Sequence, residues 1–221
     1  MEKRRDSATA YIILADGFET IEALTPLDVL RRCGVEVTTI SLNKTRSVRS
    51  SHGVTVEADA TMEDFMHNCN CSASGIGTGT STSNAGTSSS AGSSTTASSA
   101  VRQALILPGG YPGYKNLCES AEVGALITQF HKEGKLLCAI CGAPTALKAN
   151  QICRGAAITC HTSVKEELSD YYSILSSAVV KYMNIITGMG AGRSLDFAFA
   201  IAESLTFKET VEEIKAKMEM I

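Results

Sequence analysis

Residues 11–15, 104–107 and 136–140 are short apolar runs, and each stops abruptly at small residues: Asp16-Gly17, Pro108-Gly109-Gly110 and Cys141-Gly142. A run this short with no polar position fits a strand covered on both faces. The stretches between these runs change period. Ile21, Leu24, Leu27 and Leu30 recur at helical spacing up to a stop at Gly34, and residues 123–132 form a second helical stretch ending at Gly134. Strands alternating with helices favour a largely parallel sheet covered by helices on both faces. In such sheets ligands bind beyond the carboxyl ends of the strands, so the residues just after each run hold the chemistry.

The same reading predicts strands at 35–41, 54–56, 157–160 and 183–187. A helix begins near Gly142 and carries Pro144, Ala146 and Leu147, and an amphipathic helix follows Ser194 over 195–205. Thr206-Phe207-Lys208-Glu209 and Thr210-Val211-Glu212-Glu213 each offer a capping box for a last helix over 210–218. Thr25-Pro26-Leu27-Asp28 reads as a cap-and-proline signal inside or near the start of the first helix.

One segment breaks the pattern. From 72 to 100 every residue except Ile76 and Asn84 is Ser, Thr, Gly or Ala, and none is charged. Such a tract buries too little apolar area to offset its ordering entropy, so a disordered insertion is expected, spanning about 30 Å as a Gly/Ser-type coil. Neither flank looks complete alone. The expectation is therefore one domain over 1–221 carrying an insertion, with a linker between two domains as the alternative.

Composition narrows the function classes. At 221 residues and 44% hydrophobic, the chain can bury one sizeable core. A net charge of −3, with Lys and Arg scattered beyond Lys3-Arg4-Arg5, offers no basic surface to nucleic acid or to an anionic membrane. Residues 1–10 are polar and the run that follows is too short for a signal core or a membrane span. The cytoplasm is the expected compartment, and the eight cysteines are expected to be reduced.

Three post-strand positions are candidates for chemistry. Cys141 lies between an apolar strand and Gly142-Ala143-Pro144, the small-residue composition that a strained nucleophile elbow needs. A helix N-terminus behind it would favour thiolate over thiol; a buried cysteine packed as a small hydrophobe is the plainer alternative. Gly109-Gly110 could turn backbone N–H groups toward an anion, or form a tight turn and nothing more. Asp16, Glu19 and Glu22 follow the first strand. A carboxyl there, raised by burial, could face the cysteine across a crevice, whereas a solvated first-turn acid is the commoner case.

These residues together resemble the DJ-1/PfpI superfamily, and its DJ-1 branch most closely. The likeness rests on Ala15-Asp16-Gly17-Phe18-Glu19-Thr20-Ile21-Glu22, on Pro26-Leu27-Asp28-Val29-Leu30-Arg31-Arg32-Cys33-Gly34, and on Leu107-Pro108-Gly109-Gly110. Ala139-Ile140-Cys141-Gly142-Ala143-Pro144-Thr145-Ala146-Leu147 and Phe197-Ala198-Phe199-Ala200-Ile201 complete it, in family order. The resemblance implies a flavodoxin-like three-layer α/β/α sandwich, usually a homodimer. It implies Cys141 as nucleophile, Glu22 as its protonated partner acid, Gly110 and Gly142 as N–H donors lining an anion pocket, and His161 beside the cysteine. Departures from the family pattern accompany it. Gly142 stands where the protease-like branch has His, His52 stands where the DJ-1 branch often has Arg, and residues 187–193 lack an Arg near Met189 and a Pro near Ala191.

The implied activity is a cofactor-free, metal-free glyoxalase or deglycase acting on a small carbonyl substrate. A redox sensor or chaperone using oxidation of Cys141 is the alternative, and a cysteine peptidase or amidotransferase-like hydrolase the third reading. Cys138 and Cys141 form a C-x-x-C, but Cys138 is expected inside the strand, so neither a thioredoxin-like pair nor a zinc site with Cys69 and Cys71 is expected.

Overall fold

In a computed structural model of the chain, described for residues 8–68 and 102–220, strands and helices are interspersed along the sequence. The Ser-rich tract, Cys69, Cys71 and the basic Lys3-Arg4-Arg5 start lie outside the described residues. The first half holds β1 (Ala8–Leu14), α1 (Thr20–Arg32), β2 (Glu36–Ser41), β3 (Ser47–Arg49), β4 (Thr55–Glu57), β5 (Ala60–Thr61) and α2 (Met62–Asn68). After the tract come β6 (Arg102–Leu107), α3 (Gly113–Glu119), α4 (Ala121–Lys132), β7 (Leu136–Ile140), α5 (Pro144–Ala149) and β8 (Ala157–Ile158). The chain closes with α6 (Lys165–Leu168), β9 (Ser173–Ile174), β10 (Val179–Tyr182), β11 (Ile185–Gly188), α7 (Ser194–Leu205) and α8 (Lys208–Lys217).

Seven strands form one sheet in the order β10-β11-β7-β6-β1-β2-β5, and every pairing except β10 with β11 is parallel. This is the mostly parallel, helix-covered sheet expected of a flavodoxin-like sandwich. Strand alternation divides the core in two. Ala10, Ile12 and Leu14 of β1 face a cluster with α1, α7 and α8, through residues such as Val29, Phe197, Ile201 and Val211. Ile13 faces the opposite cluster with α3, α4 and α5, through Leu117, Ile127, Phe130 and Leu147. Among the described residues no helix is long and apolar enough to cross a membrane.

Three local expectations change. Pro26 lies inside α1, which starts at Thr20, so the proline is no first-turn signal. The buried face of the helix is also turned from the Ile21-Leu24-Leu27-Leu30 stripe, of which Leu30 is buried and Leu24 and Leu27 are half-buried. Glu22, Ala23, Pro26, Val29 and Leu30 are its buried residues, while Ile21 is 47% exposed. The cause is packing: α1 rests on α7 through the Ala23, Val29 and Leu30 side, and that rotation carries Glu22 inward. The capping boxes do not form as drawn either. Phe207 is the N-cap of α8 and gives no side-chain cap, and the Thr206 hydroxyl donates back to Ala202 O of α7.

Candidate functional site

The parallel strands bring their carboxyl ends to one edge, and the residues just past β1, β6, β7 and β11 line one cavity of about 570 Å³. Glu19, Glu22, Gly110, Cys141, Gly142 and His161 all border it. A larger groove of about 760 Å³ runs along α4 and contains none of them.

Cys141 occupies the sharp turn between β7 and α5 with φ +65°, a left-handed conformation that costs a non-glycine residue about 1–2 kcal/mol. Two backbone hydrogen bonds hold it there. Its N–H donates to Gly188 O at 3.0 Å, and its carbonyl accepts the His161 N–H at 2.9 Å. Neighbouring elements thus fix the strained residue, as an elbow requires. The N–H groups of Gly110 and Gly142 donate to its sulfur.

Glu22 is fully buried, and its Oε2 accepts the Gly109 N–H at 2.9 Å. Its Oε1 is buried with no partner among the described residues. Burial pushes the carboxyl up to about 7; hydrogen bonds with Cys141 and Gly109 pull it down and the charge of Glu19 adds to the rise. The thiol of Cys141 is pushed up to about 12, first by burial, then by the charge of Glu22 and the hydrogen bond to it, against the pull of the Gly110 and Gly142 N–H groups.

Burial therefore works against the thiolate that the helix N-terminus would favour. The N–H groups of Gly110 and Gly142 favour the charged sulfur, while burial and the charge of Glu22 oppose it. The two groups act as one acid pair, and either proton position changes the other's ionisation.

The glycines have separate duties. A Cβ on Gly109 would stand 2.6 Å from both Cys141 Cβ and Glu22 Oε2, so only glycine lets acid and thiol approach. Gly110 has φ +88°, and its Cβ would meet Glu19 N at 2.2 Å. The diglycine therefore divides its donors: Gly109 serves Glu22 and Gly110 serves the sulfur. A Cβ on Gly142 would lie 2.6–2.9 Å from the Tyr114 ring, which occupies the space a side chain after the cysteine would need.

His161 is exposed at the pocket rim. Its Nδ1 accepts the Ser163 N–H at 3.2 Å and meets Ser163 Oγ at 2.9 Å, so the neutral ring carries its proton on Nε2. The orienting partner is a serine, not the acid of a Cys-His-acid triad. His52, exposed on the loop beside α1, stands 3.3 Å from Glu19 Oε2, with Ser51 Oγ bridging at 3.4 Å to the carboxyl and 3.0 Å to the ring. Cys138 is fully buried within β7, and no group of three metal-ligating side chains occurs among the described residues.

Sequence reasoning missed Gly109 as a spacer, Tyr114 over Gly142, and Arg193 on the rim. Only the first carried a signal, since a second consecutive glycine after the strand asks for its own reason. Tyr114 and Arg193 reach the site through α3 and the turn before α7, which no local pattern reveals.

The DJ-1/PfpI family profile matches residues 8–204. Drosophila melanogaster protein dj-1beta is 32% identical over 209 residues, covering 94% of this chain and 95% of that protein. A Caenorhabditis elegans protein named glutathione-independent glyoxalase DJR-1.2 is 36% identical over 111 residues, 50% of this chain and 59% of the relative. The crystal structure of Drosophila melanogaster DJ-1beta superposes with a TM-score of 0.78 at 31% identity, covering 96% of this chain and 97% of that one. Fold, family profile and full-length similarity agree: the chain belongs to the DJ-1/PfpI family.

Proposed function

We propose that the protein is a cysteine-dependent, cofactor-free glyoxalase or deglycase acting on methylglyoxal-type α-oxoaldehydes or early glycation adducts, with a protective role in carbonyl and oxidative stress. The observation that carries this reading is one pocket joining a strained cysteine, a buried carboxyl that titrates near neutrality and two N–H donors at the sulfur. The glyoxalase name of the C. elegans relative supports it.

The chemistry follows from the acid pair. Glu22, partly ionised near neutral pH, takes the proton of Cys141 as the sulfur bonds to the aldehyde carbon. The oxygen that becomes negative is stabilised by the Gly110 and Gly142 N–H groups, and Glu22 returns the proton to give a hemithioacetal. Ionised again, Glu22 removes the hydrogen on that carbon as a proton and delivers it to the neighbouring carbon, while the hemithioacetal hydroxyl proton passes to the neighbouring oxygen. The electron pair moves within the substrate, leaving a thioester of a 2-hydroxy acid. Water releases the acid and regenerates the thiol, so aldehyde plus water becomes hydroxy acid and the electrons balance. His161 orients the substrate or relays a proton through Nε2.

The test is formation of lactate from methylglyoxal. Cys141→Ser and Glu22→Gln are each expected to lower kcat/KM by a factor on the order of 10² or more. Turnover unchanged in either variant contradicts the mechanism.

A second reading draws on the same geometry. A partly buried cysteine that borders the pocket, beside a carboxyl that can hold a proton, suits a cysteine sulfinate, and hence a redox sensor or chaperone. Selective dioxidation of Cys141 by mild peroxide, with negligible turnover of carbonyls, favours that role over the enzyme.

A further inference from the structure

The pocket walls are electrically uneven. Glu19 and Glu22 stand on the α1 side, while the facing rim is built from two short turns, Thr162–Val164 and Ala191–Arg193. That rim presents His161, Ser163 and Arg193, and among the described residues lining the cavity Arg193 is the only Lys or Arg. Its side chain is 57% exposed, and its guanidinium contacts Asp196, whose side chain is 51% exposed, at 3.5 Å. An exposed pair of that length contributes at most about 1 kcal/mol, so Arg193 can exchange it for a ligand group at little cost. His161 points in the same direction: Ser163 engages its Nδ1, which leaves Nε2–H for a ligand.

A charged substrate therefore has one favourable orientation, with its negative group toward Arg193 and away from Glu19 and Glu22. We propose that the substrate of this site carries a carboxylate, received by Arg193 and His161 Nε2–H, beside the carbonyl that Cys141 attacks. The inference rests on the glyoxalase reading for the carbonyl and adds the charge. The guanidinium fork matches a carboxylate in a way that a lone ammonium does not. Cavity size agrees. About 570 Å³ falls in the range that encloses a whole drug-sized ligand, and a neutral three-carbon aldehyde would leave most of it to water.

Paired alkylating agents isolate the charge. Iodoacetate and iodoacetamide undergo the same reaction, in which the sulfur bonds to the CH₂ carbon as iodide leaves, and they differ by one negative charge at nearly equal size. Second-order rates at Cys141, followed by peptide mass spectrometry at low ionic strength, are divided and referred to the same ratio for N-acetylcysteine. The wild-type iodoacetate-to-iodoacetamide ratio is expected several-fold above the free-thiol value. It is expected to fall to that value in Arg193→Gln, to be partly kept in Arg193→Lys, and to shrink at raised salt. A wild-type ratio at or below the free-thiol value, or one unmoved in Arg193→Gln, overturns the proposal whatever the turnover of methylglyoxal. An Arg193-dependent ratio in a protein that converts neither methylglyoxal nor a carboxylate-bearing α-oxoaldehyde supports the carboxylate and overturns the glyoxalase reading alone.

Discussion

Gly109 is the residue on which the geometry of the acid pair turns, because its missing side chain is the space through which Glu22 reaches Cys141. Gly109→Ala forces atoms to 2.6 Å and is expected to cost about 1–3 kcal/mol in urea unfolding, together with a large loss of turnover as acid and thiol are pushed apart. Glu22 carries an opposite burden. Its carboxyl is raised from an ordinary value of 4.5 to about 7 in the folded protein, so between those values the native state holds the proton more tightly than the unfolded state does. Stability from this group is therefore present below about pH 4.5 and lost as pH rises through about 7. Glu22→Gln removes the penalty. It is expected to be more stable than wild type at pH 8, by up to about 3 kcal/mol, with the gap closing at pH 4.5 when Tm is measured at both values. Activity should be lost in that same variant, a trade between stability and function. Cys141 and its small neighbours were readable from the sequence because an elbow has a composition. The inward turn of Glu22 was not: helical spacing put Ile21 on the buried stripe, and packing against α7 turned the helix so that Ile21 is exposed and Glu22 buried.

At the scale of elements, α3 closes the site over α5 by laying the Tyr114 ring on Gly142. The two positions share one volume, so their substitutions should not add. Gly142→Ala alone is expected to destabilise by about 1–3 kcal/mol, and much of that loss should disappear when Tyr114→Ala is present, since the ring is what the new methyl meets. A denaturation cycle over the four proteins measures the coupling, and strict additivity would show that the ring moves aside freely. The central apolar strands and the helices stopped by glycine were legible because periodicity and punctuation are local signals; β7 was placed residue for residue. The short strands β3, β5, β9 and β10 were missed. Each has only two to four residues, and pairing with neighbours, not pattern, makes them strands.

Over the whole molecule, the sheet gathers its chemistry at one edge while two apolar clusters, one per face, cover its strands. The fold class was readable from the alternation of elements; the way four post-strand loops converge on one pocket was not, because it depends on strand order. A homodimer is the expected assembly. Ile21 on α1 and Val54 by the hairpin are 47% and 44% exposed, on segments joined by the Thr20 Oγ1 to Ser50 Oγ hydrogen bond of 2.9 Å. Light scattering should return twice the chain mass, and Ile21→Asp with Val54→Asp should shift it toward the single chain if this face is the one covered.

The central claim is that Cys141 and Glu22 share one proton across the Gly109 gap. The rate of alkylation of Cys141 by iodoacetamide as a function of pH tests it most directly. Wild type should show a step near pH 7, where the pair loses its first proton, and a further rise toward about pH 12; Glu22→Gln should lose the lower step and titrate once. A single titration near the ordinary thiol range of about 8.5, identical in both proteins, would contradict the account.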